Sequence, residues 1–212
     1  MKYVDEFRDG EVAQGLAQAI AAEVRADRRY NFMEFCGGHT HAIARYGVAD
    51  LLHRNVRMIH GPGCPVCVLP IGRIDQAIAL ALDYGVTLCT YADLMRVPGS
   101  ERRSLIKAKA AGADVRMVYS TKDALAIARA DRARLVVLFA IGFETTTPPT
   151  AVAMRQARAE GLTNFSVFCN HVLTPPALRA ILATEGSEGV QIDGILGPSH
   201  VSTVIGSAPY GF

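Results

Sequence analysis

The sequence predicts an α/β protein built on parallel β-sheets, and two features of the chain support that class. Short runs rich in β-branched and aliphatic residues alternate with longer segments of helical periodicity, which is the pattern of strands and crossover helices in a parallel sheet. Half of the 212 residues are hydrophobic, so the chain can bury a sizeable core.

Seven strands are predicted where short aliphatic runs are bounded by turn residues. In chain order they are Phe32–Phe35, Val56–His60, Val86–Thr90, Val115–Tyr119, Leu135–Ile141, Phe165–Asn170 and Ile192–Leu196.

Seven helices are predicted in the intervals, where apolar residues recur with helical spacing. Gly112 and Gly161 fit helix C-termini, and the prolines Pro148-Pro149 and Pro175-Pro176 suit first turns. The predicted helices are Val4–Arg25, His41–Leu52, Ile71–Asp83, Glu101–Ala111, Thr121–Ala130, Pro149–Glu160 and Pro175–Ala183.

A boundary near Thr121 is expected to divide the chain into two Rossmann-like parallel-sheet domains, residues 1–121 and 122–212, with a cleft between them. Four of the five cysteines lie before this boundary, and a second strand–helix series begins after it. The chain stops soon after a predicted strand, with no further helix predicted to cover the sheet. The second domain is therefore expected to be incomplete.

Charge and composition argue against several classes of protein. The 22 basic and 20 acidic residues give a net charge of +2, and the basic residues are scattered, which gives little support for a nucleic-acid or membrane partner. No apolar run has the length of a membrane span, and the first residues lack the apolar segment of a signal peptide. Five cysteines, an odd number, argue against a secreted disulfide framework. We expect a cytoplasmic protein whose cysteines are thiols, metal ligands or redox pairs.

The unusual polar residues collect in loops that directly follow predicted strands. Ligands of open parallel sheets bind beyond the carboxyl ends of the strands, so these loops are expected to line one shared cleft. The loops cover residues 36–41, 61–67, 142–147, 170–171 and 197–200.

Cys36 lies between a strand and a Gly-Gly turn, just before a predicted helix. Free backbone N–H groups and the helix dipole stabilise a thiolate at such a position, and the thiolate is the form that binds metal. The alternative is a buried cysteine that acts as a small hydrophobic residue. The strand-end position, the glycines and two nearby histidines favour the metal-binding interpretation.

The segment Cys64-Pro65-Val66-Cys67 has the spacing of thiol redox pairs and of half a zinc or iron–sulfur site. Cys89 and Cys169 stand alone within predicted strands and are interpreted as core residues. A closed four-ligand zinc site is therefore not expected. A reversible Cys64–Cys67 disulfide is the stronger functional interpretation, with an inert reduced pair as the alternative.

The histidines differ in how well their predicted positions suit a metal ligand. His39 and His41 are two residues apart, so at a helix start they share a metal only if the Gly-Gly loop bends them together. His200 follows the last predicted strand and is a better ligand candidate than His53, which sits in a helical pattern. The remaining two, His60 and His171, are ambiguous.

Glu144 and Thr145 begin a Glu-Thr-Thr-Thr segment at a helix entry. Carboxylates and hydroxyls at such positions commonly cap free N–H groups. The alternative is that Glu144 handles protons or ligands in the cleft. A nucleotide site has no support, because the glycines form neither a GxGxxG motif nor a Walker loop.

Four of these segments together resemble, in order and spacing, the HypD family of hydrogenase maturation proteins. They are Cys36-Gly37-Gly38-His39-Thr40-His41, Gly61-Pro62-Gly63-Cys64-Pro65-Val66-Cys67, Gly142-Phe143-Glu144-Thr145-Thr146-Thr147-Pro148-Pro149 and Pro198-Ser199-His200-Val201-Ser202. The resemblance covers essentially the whole chain and looks like the amino-terminal portion of a family member.

The resemblance implies a scaffold that binds iron and, with a small HypC-type chaperone, assembles the Fe(CN)2CO group of [NiFe]-hydrogenase. A HypE-type protein would donate the cyanide. Carried over to this sequence, Cys36 would be the iron-ligating thiolate, and His200 would face it across the interdomain cleft. Cys64 and Cys67 would form the redox pair.

The remaining candidates complete the expected site. Glu144 is placed with the redox pair as a catalytic group, and His39, His41 and Thr145 are placed as cofactor-binding residues. Full-length members of the family also carry a [4Fe-4S] cluster on four cysteines in their carboxyl-terminal part, and the 212 residues hold no such group. The chemistry is that of a cofactor-assembly scaffold with redox-active thiols rather than of a conventional turnover enzyme.

Two other functions are consistent with the residues alone. A thiol–disulfide oxidoreductase would use Cys64 to attack and Cys67 to resolve. A binding module would hold structural zinc.

Overall fold

A computed structural model describes residues 2, 4–183 and 191–211, and within these residues the chain is an α/β protein with seven strands and nine α-helices. The strands are β1 Tyr30–Glu34, β2 Val56–His60, β3 Thr87–Thr90, β4 Val115–Met117, β5 Val136–Gly142, β6 Phe165–His171 and β7 Gly194–Leu196. Each of the seven predicted strands is present, with its ends shifted by at most two residues. The predicted fold class is confirmed.

The helices occupy the intervals between the strands. They are α1 Gly10–Glu23, α2 Gly37–Arg45, α3 Val48–Leu51, α4 Ile71–Leu82, α5 Leu105–Ala110, α6 Thr121–Ala130, α7 Thr147–Ala159, α8 Thr174–Leu182 and α9 Ser199–Ile205. In the described ranges, none of these helices is both long and apolar enough to cross a membrane.

Four helices differ from their predicted form. Helix α1 begins at Gly10, because the Asp9 carboxylate accepts hydrogen bonds from the N–H groups of Glu11 and Val12 and caps the helix there. Helix α5 begins at Leu105 rather than Glu101, because the Ser104 hydroxyl accepts the N–H of Lys107. The predicted helix His41–Leu52 is divided by Gly47, whose φ of 62° is left-handed. Helix α9 follows the last strand, where no helix was predicted.

The strands form two parallel sheets. One has three strands in the order β2-β1-β7, and the other has four in the order β4-β3-β5-β6. Strand β7 pairs with β1 so that Phe32 lies opposite Gly194 and Glu34 opposite Leu196. The pairing continues past the strand end, where the N–H of Phe35 donates to the carbonyl oxygen of Leu196 at 2.9 Å.

These pairings divide the chain at different positions from the predicted boundary near Thr121. The first compact unit comprises Met1–Gly63 and Leu178–Ser202, and the second comprises Cys64–Ala177 and Thr203–Phe212. The difference arises because β5 and β6, which follow residue 121, pair in one sheet with β3 and β4. Strand β7 returns to the first unit because it pairs with β1.

The second unit is a three-layer arrangement around its sheet. Every residue of β5 is buried, and its side chains alternate between two cores. Val137, Phe139 and Ile141 belong to the core that includes residues of α4 and α5, whereas the alternate β5 side chains belong to the core that includes residues of α6 and α7. A strand buried on both faces explains the unbroken aliphatic run in the sequence.

The two cysteines assigned to the core have different environments. Cys89 on β3 is fully buried, as predicted. Cys169 on β6 is exposed, so the prediction of a core position was wrong for this residue. The sheet order places β6 at an edge of the four-stranded sheet, where one side of the strand has no neighbouring strand to cover it.

Burial raises the pKa of the Cys89 thiol from 9.0 to about 11. The folded state therefore keeps this proton at pH values where the unfolded chain has lost it, so the contribution of Cys89 to stability is complete below pH 9.0 and falls as the pH rises toward 11. From about pH 8 to about pH 10.5, the free energy of unfolding of the wild type is expected to fall by about 2 kcal/mol more than that of Cys89→Ala. Urea unfolding at the two pH values measures this difference.

The matched control is Cys169→Ala, which removes an exposed thiol. This variant should follow the pH dependence of the wild type. Parallel pH profiles for Cys89→Ala and wild type would contradict the assignment of the effect to Cys89.

Candidate functional site

Cys36 lies two residues beyond the carboxyl end of β1 and immediately before α2. Its φ of 124° and ψ of 129° form a backbone conformation that residues with a Cβ rarely adopt. The N–H groups of His39 and Thr40 donate to its carbonyl oxygen at 3.0 and 3.3 Å, so Cys36 accepts the first hydrogen bonds of α2. The conformation fixes the thiol at the start of the helix.

His200 is the histidine that the fold brings to Cys36. Its Nδ1 lies 3.9 Å from the Cys36 Sγ, although 164 residues separate the two in sequence. His200 stands in the first turn of α9, directly after β7, and β7 is the neighbour of β1 in the sheet. Both residues belong to the first unit, so the pairing of β1 with β7 brings them together, rather than an approach across a cleft between two domains.

Two glycines after β2 allow the chain to pass close to the Cys36 turn. A Cβ on Gly63 would lie 2.5 Å from the Gly37 nitrogen and 2.9 Å from the carbonyl carbon of Cys36. A Cβ on Gly61 would lie 2.5 Å from the carbonyl oxygen of Glu34. Only glycine fits at these two positions without a shift of backbone atoms.

Glu34 is a buried carboxylate next to this turn that sequence reasoning missed. It is the last residue of β1 and is fully buried. Its Oε1 accepts hydrogen bonds from the Thr40 hydroxyl at 2.5 Å and from Nδ1 of His60 at 2.6 Å. Its Oε2 is buried and has no hydrogen-bond partner among the residues that the structure describes.

Through Glu34, these hydrogen bonds connect α2 and β2 to the end of β1, next to the turn that carries Cys36. His60, ambiguous from sequence, is thereby the partner of Glu34, and its side chain is 61% exposed. The signal available in the sequence was a single acidic residue inside an otherwise uncharged strand, which is typical of a buried polar residue with a specific partner.

His39 and His41 lie within α2, as its third and fifth residues. His39 is half-buried, and its Nδ1 has no partner in the described part of the chain. His41 is exposed. Among residues 2, 4–183 and 191–211, the hydrogen bonds of the Cys36 thiol involve neither imidazole, so a ligand role for these two histidines stays a prediction.

Cys64 and Cys67 belong to the second unit and lie in the segment between β2 and α4. The N–H of Cys67 donates to the Cys64 Sγ at 3.2 Å. Cys64 is half-buried, Cys67 is exposed, and both are free thiols. The hydrogen bond between the Cys67 and Cys64 side chains, with smaller contributions from burial and from the charge of Cys64, raises the pKa of Cys67.

These contacts make the two thiols unequal. The Cys64 sulfur accepts a hydrogen bond from the Cys67 N–H, whereas the interaction with Cys64 raises the pKa of the Cys67 thiol and so disfavours its thiolate. The arrangement suits Cys64 as the attacking thiol of an exchange reaction and Cys67 as the second thiol.

We expect Cys64→Ala to lower the pKa of Cys67, because the variant removes the sulfur with which Cys67 is hydrogen-bonded. The midpoint of the pH profile for Cys67 alkylation by iodoacetamide should shift to lower pH, and the rate near pH 8 should rise. Mass spectrometry of the alkylated peptide resolves Cys67 from the other thiols. Cys169→Ala is the control, and an unchanged midpoint in Cys64→Ala would count against the hydrogen bond.

Glu144 caps a helix, although not the one that follows it in sequence. Its Oε1 accepts the N–H of Thr174 at 2.5 Å, and its Oε2 accepts the Thr174 hydroxyl at 3.0 Å. Thr174 is the first residue of α8, so the buried carboxylate stabilises the start of that helix. Thr145 is half-buried. Catalytic and cofactor-binding roles for these two residues stay predictions.

The described residues contain no group of three or more His, Cys, Asp or Glu side chains placed to hold a metal ion. The two donors that the first unit brings together are the Cys36 thiol and the His200 imidazole. A thiolate and an imidazole are a donor pair suited to transition metals rather than to Mg²⁺ or Ca²⁺.

Comparison with known proteins identifies relatives over the whole chain. The HypD family model, described as the hydrogenase formation hypA family, matches residues 11–212. The chain is 66% identical over 215 residues to the hydrogenase maturation factor HypD of Rhizobium leguminosarum bv. viciae, covering 100% of the chain and 56% of the relative. It is 48% identical over 217 residues to HypD of Escherichia coli K12, covering 100% of the chain and 57% of that relative. The chain thus spans a little more than half the length of these curated relatives.

Proposed function

The chain belongs to the HypD family of hydrogenase formation proteins, and from that premise we propose that it binds iron through Cys36 while the Fe(CN)2CO group of [NiFe]-hydrogenase is assembled. The observation that carries the proposal is the 3.9 Å approach of the Cys36 thiol and the His200 imidazole. Iron is the cargo of this scaffold.

The geometry of the donor pair suits a single metal ion. Bonds of first-row metals to cysteine sulfur and to histidine nitrogen are about 2.3 and 2.0 Å long, so adjacent ligands of one tetrahedral or octahedral ion lie about 3.0–3.5 Å apart. The sulfur and nitrogen atoms are 3.9 Å apart, so an approach of less than about 1 Å would let both bind one ion. We propose Cys36 as the iron ligand and His200 as a second ligand or as the group that orients the thiolate.

The chemistry of the cargo agrees with this donor set. Iron that carries cyanide and carbon monoxide is a soft centre, and soft centres favour thiolate over carboxylate ligands. We propose that a cysteine of a HypC-type chaperone completes the coordination and that a HypE-type protein delivers cyanide. His39, His41 and Thr145 are proposed to contact the iron-bound groups.

Cys64 and Cys67 are proposed to supply electrons during this assembly. Oxidation of the two thiols to one disulfide releases two electrons and two protons. The raised pKa of Cys67 and the hydrogen bond from the Cys67 N–H to the Cys64 sulfur support unequal roles within the pair, and Glu144 is proposed to assist proton handling. We place the chemistry in the cytoplasm, where thiols are kept reduced.

The infrared spectrum of the protein purified with its small chaperone tests the proposal. Cyanide and carbon monoxide on iron give stretching bands in a region where protein does not absorb, so their presence with near-stoichiometric iron is the expected result. Stoichiometric zinc, with neither iron nor these bands, would instead support a structural zinc module.

A second candidate function is favoured by the contact between Cys67 and Cys64. A thiol–disulfide oxidoreductase would turn over a disulfide substrate without any metal. Catalytic turnover by the metal-free protein, lost in Cys64→Ala, would favour this function over the scaffold.

A further inference from the structure

The first unit contains a cavity of about 850 Å³ whose lining is strongly cationic. Four arginines and a single aspartate line it, together with uncharged polar residues that include Asn31 and Asn55. The charged residues of the lining are Arg28, Arg29, Arg54, Arg57 and Asp27. The arginines come from two short segments, residues 28–29 and 54–57, which the pairing of β1 with β2 brings together.

Three of these arginines have no ion-pair partner among the residues that the structure describes. Asp27 pairs with Arg25, and Arg28 pairs with Asp193 at 2.5 Å. Within the described ranges, none of the ion pairs or side-chain hydrogen bonds involves the guanidinium groups of Arg29, Arg54 and Arg57. Three unpaired guanidinium groups around one cavity repel one another unless an anion lies between them.

The backbone frame that carries these arginines is held by hydrogen bonds. The Asn55 side-chain amide donates to the carbonyl oxygens of Arg25 and Ala26 at 3.2 and 3.3 Å. The N–H of Asn31 donates to the Asp193 carboxylate at 2.8 Å. These bonds join the start of β1 and the segments before β1, β2 and β7, so the backbone that carries the arginines is held in place before any ligand binds.

The cavity lies at the opposite end of the sheet from Cys36. Asn31 and Arg57 are opposite each other near the amino ends of β1 and β2, whereas Cys36 follows the carboxyl end of β1. Five residues of extended strand separate Asn31 from Cys36 by about 16 Å. A ligand in the cavity is therefore separate from the proposed iron site.

We propose that this cavity binds a small anion carrying two or more phosphoryl or carboxylate groups, held by Arg29, Arg54 and Arg57. The planar guanidinium fork matches both kinds of oxyanion and donates two parallel hydrogen bonds to each. The cavity volume is in the range of small-molecule sites. The site goes beyond the proposed iron chemistry and does not depend on it.

Isothermal titration calorimetry with the whole chain tests the proposal, using pyrophosphate as the phosphoryl probe and citrate as the carboxylate probe. We expect saturable binding of at least one probe at low ionic strength, weaker at physiological ionic strength. Arg54→Gln and Arg57→Gln should each weaken it about tenfold. These substitutions remove charge from side chains that make no ion pair in the described structure, so the fold should be retained.

Two controls separate a specific site from general attraction of anions. Arg155→Gln removes an exposed arginine of α7 in the second unit and should leave binding unchanged. Cys36→Ala should bind the probe as the wild type does. Preference for pyrophosphate or for citrate identifies the source of the oxyanion groups. Absence of saturable binding of both probes, or equal weakening by Arg54→Gln and Arg155→Gln, would overturn the proposal.

Discussion

Replacing Cys36 by alanine is expected to abolish the iron–cyanide infrared bands of the protein purified with its small chaperone. The thiolate is the proposed iron ligand, and the imidazole of His200, 3.9 Å from the sulfur, cannot by itself replace a thiolate on a soft metal centre. Iron content should fall by more than the 10–100-fold that loss of an outer hydrogen-bond partner typically costs. Metal analysis and infrared spectroscopy of the same sample measure both effects.

A second variant at the same position excludes misfolding as the cause. Cys36 has a φ of 124°, a strained conformation for every residue except glycine, so Cys36→Gly relieves strain of about 1–3 kcal/mol. We expect Cys36→Gly to be at least as stable as the wild type and still to lack iron. Cys169→Ala, which removes an exposed thiol on β6, should retain both iron and bands. Unchanged bands in either Cys36 variant would contradict the assignment of Cys36 as the iron ligand.

The Gly63→Ala variant is expected to lose both stability and iron. The added methyl group would lie 2.5 Å from the Gly37 nitrogen and 2.9 Å from the carbonyl carbon of Cys36, closer than van der Waals contact allows. The backbone that fixes the thiol must then move, at a cost of about 1–3 kcal/mol in the free energy of unfolding. Urea unfolding gives the stability, and the iron content of the purified complex gives the effect on the site.

Gly37→Ala is the matched control for this substitution. Gly37 is the residue that Gly63 approaches. A methyl group added at Gly37 would have the Gly63 carbonyl oxygen as its nearest atom, at 3.9 Å, which is an ordinary van der Waals contact. Gly37 is also the first residue of α2, where alanine is a better helix former than glycine. Wild-type stability and iron content in Gly63→Ala would show that the close approach does not position Cys36.

Local features of the sequence predicted the strands well, because the signal for a buried strand is local. All of β5 is buried, and its aliphatic run is visible without knowledge of its neighbours. The sequence near Cys169 carries no signal for its exposure, because its neighbours in sequence are of the same kind as those of a core cysteine. Its exposure follows from the position of β6 at the edge of the sheet, which the pattern of one strand does not reveal.

The same distinction separates the predictable from the unpredictable parts of the site. The loops that carry Cys36 and His200 were found because ligands bind at the carboxyl ends of parallel strands. The pairing of β1 with β7 was not predicted, because a parallel pair has no connecting turn to fix its partners. Glu34 was missed because its burial depends on two hydrogen-bond partners, one of which, His60, comes from the neighbouring strand.

The return of β7 to the first unit has a consequence for the order of events during synthesis. The larger part of the second unit, Cys64–Ala177, lies in sequence between the two parts of the first. His200 leaves the ribosome 164 residues after Cys36, which at the usual rate of translation is about 8–30 s later. During that interval the thiol has been made but its imidazole neighbour has not, so the newly made chain acquires its proposed iron site only when β7 docks beside β1.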